Sequence, residues 1–454
     1  MSLRSGRARL SGLVLIALSG GFSILIGFIV GNNAPGGVIG FQGPYYGTRC
    51  LLHRCDPYRE SDLIDFYSAE AGQLSSQSLQ RRKAITLYVN LPTTFLFIAP
   101  FAMLPWGPAH ALWMVLISAS VLLAAILIWD SSARFAPGVS LFLLCFLLAN
   151  SEILFATGNT AALVVSFCAL AVWCFLEDRF VPAGVLCLAA GLAMKPHDAG
   201  LVWLYFLLAG GVQRKRALQA LAITAALGIA ALLWVSRAAP HWLPEMQSNL
   251  AAISAHGGLN EPGPASMTGH SPAKVIDLQS VIGIFSSNPG VYNSLSYLVC
   301  GALLLIWSIK TLRSRFTPAG AWIALAAAAP LSMLPAYHRT YDAKLLMLAI
   351  PACAMLWAKG DRIGRLALGI TAAATVIAAD IPLSLLILAT ERLNPAPVTL
   401  PAQLLTAMLT GPVTLVLLAL SIFYLCIYIW RSPARIEAVA SQDRKGSLAS
   451  RAPA

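Results

Sequence analysis

The sequence predicts an all-helical protein that crosses a membrane many times, and three observations support this fold class. The chain has 454 residues, of which 58% are hydrophobic and only 11% are charged, whereas roughly a quarter of the residues in a soluble domain are charged. Its mean hydropathy is +0.73. About a dozen apolar stretches approach the ~20 residues that a membrane-spanning helix needs.

The candidate spans follow one another from Leu10 to Trp430, and Pro or Gly punctuates most of the turns between them. The first follows the basic segment MSLRSGRARL and lacks an obvious small-x-small cleavage site, so we expect a retained signal anchor. The predicted spans are 10–31, 106–129, 138–157, 160–176, 179–195, 197–212, 217–236, 296–311, 317–337, 342–358, 364–388 and 402–430.

Basic residues set the predicted orientation, since cytoplasmic loops are rich in Lys and Arg. With the N-terminus inside, about 12 alternating spans place these basic clusters on the cytoplasmic side: Arg214–Arg216, Lys310–Arg315, Lys359–Arg365 and the tail from Arg431. We therefore predict a multi-pass protein of the plasma (inner) membrane with both termini in the cytoplasm. This topology and the basic tail explain the net charge of +12 without a nucleic acid partner.

One apolar segment, residues 88–105, does not fit as a span, because it starts and ends on the outer side in this orientation. It contains Pro92, Pro100 and Pro105, and a proline breaks the interior of a helix. We predict a re-entrant or interfacial segment that packs against protein or water.

The remaining organisation is a single transmembrane domain over residues 1–430 and a disordered cytoplasmic tail at 431–454. Outer loops are predicted at about 32–87 and 237–295, and loops of this length are usually functional or disordered. The second loop is predicted to contain a short helix near Lys274–Phe285. The basic residues Arg81–Lys83 of the first loop are candidates for contact with membrane lipids.

Two of the nine cysteines, Cys50 and Cys55, lie in the first outer loop, where an oxidising environment would allow a disulfide. The other seven lie in apolar segments, where a free cysteine behaves as a small hydrophobic residue. No spacing resembles a zinc site, so we expect neither a metal nor another cofactor.

The sequence Lys195-Pro196-His197-Asp198 interrupts a long apolar region. Ionisable groups at membrane depth are costly, which favours a functional role. A cation beside an imidazole would suit binding of a phosphate group. The alternative is that Lys195 and Asp198 pair and extend to the membrane interface.

The other outer-side polar residues are His338, Arg339, Asp342 and Asn159. The guanidinium fork of Arg339 suits a phosphate because it binds in a bidentate manner. Alternatively, Asp342 pairs with Arg339 or caps the next helix, and Asn159 caps the helix that follows it.

Carboxylates of the first loop are candidates for a general base. The loop contains Asp56, Glu60, Asp62 and Asp65, and any of them would serve if it reached a substrate hydroxyl. The alternative is that each is a solvated surface group.

Several short motifs occur in a characteristic order along the chain: Asp56-Pro-Tyr58, Leu91-Pro92 with Pro100 and Pro105, Ala109-x2-Leu-Trp113, Gly158-Asn159, Ala183-Gly-x-Leu186, Gly191-Leu-Ala-Met-Lys195-Pro196, and a His/Tyr-Asp element from His338. Together they resemble glycosyltransferase family 87, a polyprenol-phosphate-mannose-dependent mannosyltransferase-like group with the GT-C fold. The resemblance covers about residues 10–430.

The resemblance implies an inverting hexosyltransferase that takes a sugar, mannose by analogy, from a polyprenyl-phosphate donor. The acceptor, a lipid or a glycan, would lie at the outer face of the membrane. An aspartate near the first transmembrane helix would act as the base, and cationic side chains would stabilise the departing phosphate. The corresponding candidates for substrate binding here are Lys195, His197, Asp198, His338, Arg339, Asp342 and Asn159.

The chain departs from the family pattern where the family carries that aspartate, in a segment of the form Asp-Phe-x-x-Tyr. The equivalent stretch begins Gly40-Phe41-Gln42 and has no carboxylate. Asp56 and Asp62 are therefore the predicted catalytic candidates, and a non-catalytic relative is an alternative. Another departure is the turn ending at Asn159, which reads Ala-Thr-Gly-Asn where the family often has Gly-Gln-x-Asn.

A transporter or flippase of a lipid-linked sugar is a further alternative. It predicts internal repeats and charged groups near the membrane midplane. The sequence shows no convincing repeat, and its polar clusters lie at the ends of spans. Glu152 and Asp380, which lie inside apolar segments, are the exceptions.

Overall fold

The computed structural model describes residues 6–34, 37–71, 79–262, 266–269, 271, 273–393 and 399–430. The tail predicted to be disordered, residues 431–454, lies outside the described residues. The described part of the chain is helical and contains no β-strand, which confirms the all-α prediction. One isolated antiparallel bridge joins Val275 and Arg339.

The first half of the chain contains twelve helices in the described ranges: α1 (Gly6–Asn33), α2 (Ile39–Leu52), α3 (Glu60–Ala71), α4 (Leu79–Thr86), α5 (Pro92–Ala102), α6 (Trp106–Ala133), α7 (Pro137–Ala149), α8 (Glu152–Thr157), α9 (Ala161–Leu176), α10 (Val181–Met194), α11 (Pro196–Ala209) and α12 (Gly211–Ala238).

The second half continues with α13 (Trp242–Ser254), α14 (Leu278–Ile282), α15 (Pro289–Arg313), α16 (Pro318–Ser332), the 3₁₀ helix Thr340–Ala349, α17 (Ile350–Trp357), α18 (Arg362–Ile377), α19 (Asp380–Leu393), α20 (Leu400–Thr410) and α21 (Pro412–Trp430). The short helix predicted near Lys274–Phe285 corresponds to α14.

Six helical segments in the described ranges are long and apolar enough to cross a membrane, and the pair α18–α19, bent by 66°, would make a seventh. The six are α1, α6, α7 with α8, α12, α15 and α21. The chain is thus an integral membrane protein, but with fewer full-length spans than the predicted twelve. Other predicted spans correspond to shorter helices, α9, α10, α11 and α16 among them, because breaks interrupt the apolar sequence.

The proline-rich segment 88–105 contains α5, an 11-residue helix that is shorter than a span requires. Two of its prolines lie at helix starts rather than in interiors: Pro92 is in the first turn of α5 and Pro105 precedes α6. A proline is tolerated there because the first N–H groups of a helix have no partner within it. Only Pro100 lies inside a helix. The Thr93 hydroxyl donates to the carbonyl of Ala193, which fastens α5 to the end of α10.

Short helices such as α9 and α16 lie at the centre of the bundle, and the long helices α1, α12 and α15 lie at its periphery. Every residue of α16 from Ala319 to Ser332 is buried, as are most residues of α9. By contrast, α1, α12 and α15 expose many leucine, isoleucine and valine side chains. A peripheral helix that is apolar on its outward side is expected to face lipid. Breaks between the central helices therefore lie inside the protein.

The break between α10 and α11 is set by Lys195-Pro196. A proline disfavours the helical conformation of the preceding residue, and Lys195 has φ −144° and ψ 83°, outside the helical region. The chain then resumes as α11, with Pro196 in its first turn. This local geometry places the lysine at an internal helix junction.

The first of the two loops predicted on the outer side is held together by several contacts in its described part. Cys50 and Cys55 form a disulfide, as the sequence allowed. The guanidinium of Arg49 donates two hydrogen bonds of 2.7 Å to the carboxylate of Glu70, which joins α2 to α3.

Candidate functional site

The candidate site is centred on Lys195, whose ammonium lies between two carboxylates. Its Nζ lies 2.6 Å from Asp342 Oδ1 and 3.0 Å from Asp198 Oδ2. The lysine side chain is 12% exposed, and each carboxylate is 1% exposed. The pairing of Lys195 with Asp198 that was considered from the sequence is present, but the pair is buried and includes a second carboxylate. We call Lys195, Asp198, His338 and Asp342 the Lys195 cluster.

Two helix starts supply the carboxylates. Asp198 lies in the first turn of α11, three residues after the lysine. Asp342 lies in the first turn of the 3₁₀ helix, where its Oδ2 accepts the backbone N–H of Arg339 at 2.8 Å. Asp342 therefore caps this helix with one oxygen and holds the lysine with the other. Capping of this kind satisfies N–H groups that lack a partner at a helix start.

His338 completes the cluster and is 1% exposed. Its Nδ1 lies 2.8 Å from the carbonyl oxygen of Ala336. A carbonyl only accepts hydrogen bonds, so we assign the proton to Nδ1. The other nitrogen, Nε2, then lies 3.0 Å from Asp198 Oδ1. A second proton, shared between these two atoms, would stabilise this close approach.

His197 is the solvent-facing neighbour of the cluster. Its side chain is 38% exposed and its Nε2 lies 3.9 Å from Asp198 Oδ1. Its ring centroid lies 4.9 Å from that of His338. Among the described residues, His197 forms no hydrogen bond. It therefore connects the buried charges with the open side of the site.

His197, Asp198 and His338 together have the residue types of a metal site, with one ligand atom from each lying within 4.8 Å of the others. A divalent cation would, however, lie close to the ammonium of Lys195, which already contacts Asp198. A proton on His338 gives two positive and two negative charges in the Lys195 cluster, and a buried charge is stable only when it is paired. The arrangement fits a shared proton better than a metal.

Arg339 is anchored by the second of the two long loops, residues 237–295. Its Nη1 donates to the carbonyl of Ala273 at 2.5 Å, and its Nη2 donates to Leu259 O and Asn260 Oδ1, both at 2.9 Å. Its Nε donates to the hydroxyl of Tyr337 at 2.8 Å. All of these acceptors are neutral, so the positive charge of the guanidinium is not cancelled by them.

The structure gives Arg339 a different role from the bidentate phosphate ligand suggested by its type. Its fork is already engaged, and the carboxylate of Asp342 takes its backbone N–H rather than its guanidinium. The backbone N–H of Ile276 also donates to His338 O at 2.9 Å. Arg339 thus adds positive potential to the site and holds the second loop over it.

Asn159 joins the site through Tyr341. Its side-chain oxygen accepts the backbone N–H of Ala161 at 2.9 Å, and its Nδ2 lies 3.2 Å from the hydroxyl of Tyr341. The Tyr341 ring lies 5.6 Å from the Nζ of Lys195, a distance typical of a cation–π contact. The asparagine therefore both caps α9 and contacts a residue beside the lysine.

Gly40 lies where the resemblance in the sequence leads us to expect an aspartate, and it packs directly against the turn of Asn159. A Cβ at this glycine would lie 2.8 Å from Thr157 O and 2.9 Å from Asn159 Nδ2. Backbone atoms cannot move aside as a flexible side chain can. This position thus lies near the Lys195 cluster, but a side chain would not fit there without a backbone shift.

Asp56 and Asp62, the predicted bases, lie together at the start of α3. Asp62 is in the first turn of this helix, and its Oδ2 accepts the backbone N–H of Asp56 at 3.4 Å. Asp56 is 6% exposed, and its Oδ1 accepts the N–H of Tyr58 at 2.9 Å. Burial raises the pKa of Asp56, and the hydrogen bond from Tyr58 opposes this shift. The Oδ2 of Asp62 lies 3.7 Å from the Nη1 of Arg59. No hydrogen bond or ion pair among the described residues joins either aspartate to the Lys195 cluster.

A second buried cluster was only partly foreseen. The Nζ of Lys344 donates to Asp380 Oδ1 at 2.8 Å and to the carbonyls of Asn150 and Ala378 at 2.6 and 3.3 Å. Asp380 Oδ2 accepts the N–H of Ile153 at 2.8 Å. We call Lys344 and Asp380 the Lys344 cluster. The sequence marked Asp380 as an acid inside an apolar segment, and a signal that was not used is the second lysine, Lys344, in another apolar segment.

These features define a class: an integral membrane protein of helical bundle type, with a polar site built at internal helix ends. Residues 88–271 match the family model described as glycosyltransferase family 87. This match supports the assignment of the chain to that family, which indicates a membrane glycosyltransferase. Among curated proteins, no relative matches the chain significantly.

The family match includes Asn159 and Lys195–Asp198, whereas Asp56, Gly40 and His338–Asp342 lie outside the matched range. The part that matches therefore supplies one side of the Lys195 cluster. The other side comes from the 3₁₀ helix and the residues just before it.

Proposed function

We propose that this glycosyltransferase transfers a hexose, mannose by analogy, from a polyprenyl-phosphate sugar to a lipid or glycan acceptor. The observation that carries the proposal is the Lys195 cluster, in which buried positive groups lie at the ends of apolar helices. A lipid-linked phosphate would approach such a site with its chain along the membrane-facing helices and its head group at the helix ends.

The charges suit the chemistry of the donor. A polyprenyl-phosphate sugar is a phosphodiester, and its leaving group gains negative charge as the glycosidic bond breaks. Positive groups fixed near that oxygen stabilise the transition state more than the ground state. Lys195, which is 12% exposed, would contribute directly, and the buried His338 and Arg339 would contribute through their positive charge.

In the proposed reaction, the acceptor hydroxyl attacks the anomeric carbon while the carbon–oxygen bond to the phosphate breaks on the opposite side. This in-line displacement inverts the anomeric configuration. The acceptor proton passes to a base, and the electron pair of the broken bond leaves with the polyprenyl phosphate. The reaction written in this way balances without a metal or another cofactor.

The proposed location is the outer face of the plasma (inner) membrane, with cytoplasmic termini. The support is the distribution of charge along the chain: basic clusters such as Arg214–Arg216 and Lys359–Arg365 fall on one side of the threaded sequence. The Lys195 cluster falls on the other side, where an acceptor of the cell envelope would be available.

A transporter of a lipid-linked sugar is the second candidate, and Glu152 favours it. This residue lies within a candidate span and is 8% exposed, and its Oε2 has no hydrogen-bond partner in the part of the chain that the structure describes. A buried acid in a membrane segment is typical of proton-coupled transport.

The test is an assay of the purified protein in lipid nanodiscs with radiolabelled polyprenyl-phosphate mannose and, separately, polyprenyl-phosphate glucose. Sugar release and transfer would be scored for the wild type, Lys195→Met and the exposed control Lys215→Met. We expect turnover in the wild type and control, and a loss of about 10²–10³-fold in Lys195→Met. Donor binding without turnover, together with donor flux across vesicles, would instead favour the transporter.

A further inference from the structure

The proposed reaction needs a base, and the position used by the family does not provide one. Gly40 has no side chain, and a Cβ there would approach the Thr157 carbonyl oxygen to 2.8 Å. Asp56 is engaged in the turn with Tyr58, and Asp62 lies beside Arg59. The base is therefore sought among the ionisable groups at the Lys195 cluster itself.

The ionisable groups at the Lys195 cluster differ in how much of each side chain is exposed to solvent. Asp198, Asp342 and His338 are each 1% exposed, and both aspartates contact the Lys195 ammonium. A base must touch the acceptor hydroxyl within about 2.6–3.2 Å, and a side chain that is sealed and paired cannot do so. His197, at 38% exposed, is the group at the cluster that an acceptor can reach.

We propose that His197 is the general base of the transferase, with Asp198 as the carboxylate that orients it; this inference rests on the proposed function. The Nε2 of His197 faces Asp198 Oδ1 at 3.9 Å. The other ring nitrogen, Nδ1, has no hydrogen bond with any described residue. Nδ1 is therefore the atom assigned to receive the acceptor proton. Catalytic hydrogen bonds are often long before substrate binds, and that contact is expected to shorten.

The surroundings of His197 suit a neutral imidazole that becomes charged during the reaction. Lys195 and His338 face it with positive charge, and Asp198 faces it with negative charge. Tyr337 lies on the other side, with ring centroids 6.5 Å apart. Burial is the main factor that lowers the pKa of His197, and the two cations add to it, whereas Asp198 opposes it. The imidazole is therefore neutral before reaction, and the carboxylate stabilises the imidazolium that forms, as in other histidine–aspartate pairs.

The step conserves charge within the site. The acceptor oxygen forms its bond to the anomeric carbon as its proton moves to His197 Nδ1. The bond from that carbon to the phosphate oxygen breaks, and the polyprenyl phosphate leaves with one additional negative charge. One positive charge on the imidazole and one negative charge on the phosphate thus appear together.

The experiment uses His197→Ala, with His256→Ala as a matched control, in the transfer assay with polyprenyl-phosphate mannose. His256 is 84% exposed and pairs with Glu261 in the second loop, and none of its contacts with described residues involves the Lys195 cluster. We expect His197→Ala to lower kcat by about 10²–10⁴-fold with little change in the donor KM. Added imidazole is expected to restore part of the lost activity, with a pH profile that follows free imidazole. His256→Ala should match the wild type.

Retained activity in His197→Ala would overturn the inference, as would lost activity that imidazole does not restore while donor binding is intact. If the alanine variant fails to fold, His197→Gln keeps the test open, because it preserves polarity and most of the volume while removing the base. A wild type that is inactive with every donor would overturn the transferase proposal and this inference with it.

Discussion

The two buried lysines of this protein differ in how completely their surroundings satisfy them. Lys344 and Lys195 are both buried, and each contacts a carboxylate. The ammonium of Lys344 donates to three acceptors, Asn150 O, Ala378 O and Asp380 Oδ1. A lysine ammonium has three N–H donors, so all of them are used. The Lys344 cluster is closed, and it ties the 3₁₀ helix to the ends of α7 and α18.

The Lys195 cluster is not closed in this way. Asp198 contacts Lys195 and His338, each at 3.0 Å. These ion-pair contacts lack hydrogen-bond geometry, so both Asp198 oxygens and the Nε2 of His338 form no hydrogen bond with the described residues, and the exposed His197 lies beside them. Asp342 and Lys344 are only two residues apart, so one short helix carries both a structural and a candidate functional contact. The comparison teaches that a buried charge is a poor indicator of a site by itself. Unsatisfied atoms that border an exposed group are a better one.

The largest expected effect concerns the Lys344 cluster. Lys344→Met leaves the carboxylate of Asp380 buried without a partner, which typically costs about 3–5 kcal/mol. We expect a strong fall in thermal stability in detergent, measured by the loss of monodisperse protein on heating. Lys215→Met, at an exposed position, is the control and should not change it.

The double variant Lys344→Met/Asp380→Leu sharpens this prediction. Removal of both charges should recover much of the stability, because a buried ion pair is often replaceable by apolar groups. A double variant that is as unstable as Lys344→Met would show that the pair is not the source of the loss.

A smaller effect is expected for Arg339→Lys, which tests whether the second loop is held over the site. A lysine cannot reproduce the four hydrogen bonds that the planar guanidinium donates, and each lost bond typically costs about 1 kcal/mol. Hydrogen exchange at Ile276 and Thr340, whose N–H groups pair the loop with residues 338–340, should accelerate. The exposed Arg237→Lys is the control. Unchanged exchange would contradict the assigned anchoring role.

The smallest predicted effect is on the pH dependence of stability, and it comes from Asp277. This residue caps α14 by accepting the N–H of Ser280 at 2.8 Å. Burial raises the pKa of Asp277 to about 7, above the value of about 4 expected in the unfolded chain. The folded state therefore binds this proton more tightly, and stability falls as the pH rises from about 4 to 7. Asp277→Asn should remove this part of the pH dependence. An identical pH profile would contradict the assignment.

Sequence reasoning predicted the fold class and brought together Lys195 and Asp198 on one side of the candidate site, because these features depend on local signals. A proline after Lys195 marks a helix break, and charged residues inside apolar segments mark buried positions. Asp198 and Lys195 are three residues apart on one turn, so their pairing is local as well.

The remaining features depend on contacts that no local pattern encodes. Lys195 and Asp342 are separated by 147 positions, and Lys344 and Asp380 lie on different helices. Helices such as α9 and α16 are apolar on all sides, so hydrophobic periodicity does not show which face meets which neighbour. The same uniformity made short central helices resemble full spans.

The central claim is that the Lys195 cluster binds the donor phosphate, and the affinity for radiolabelled polyprenyl-phosphate mannose tests it most directly. Binding would be measured in nanodiscs for the wild type, Lys195→Met and Lys215→Met, with folding checked by thermal stability. We predict at least about tenfold weaker binding in Lys195→Met only, since a charge-assisted contact contributes about 1.5–3 kcal/mol. Equal affinity in all three well-folded proteins would contradict the claim and place the donor elsewhere.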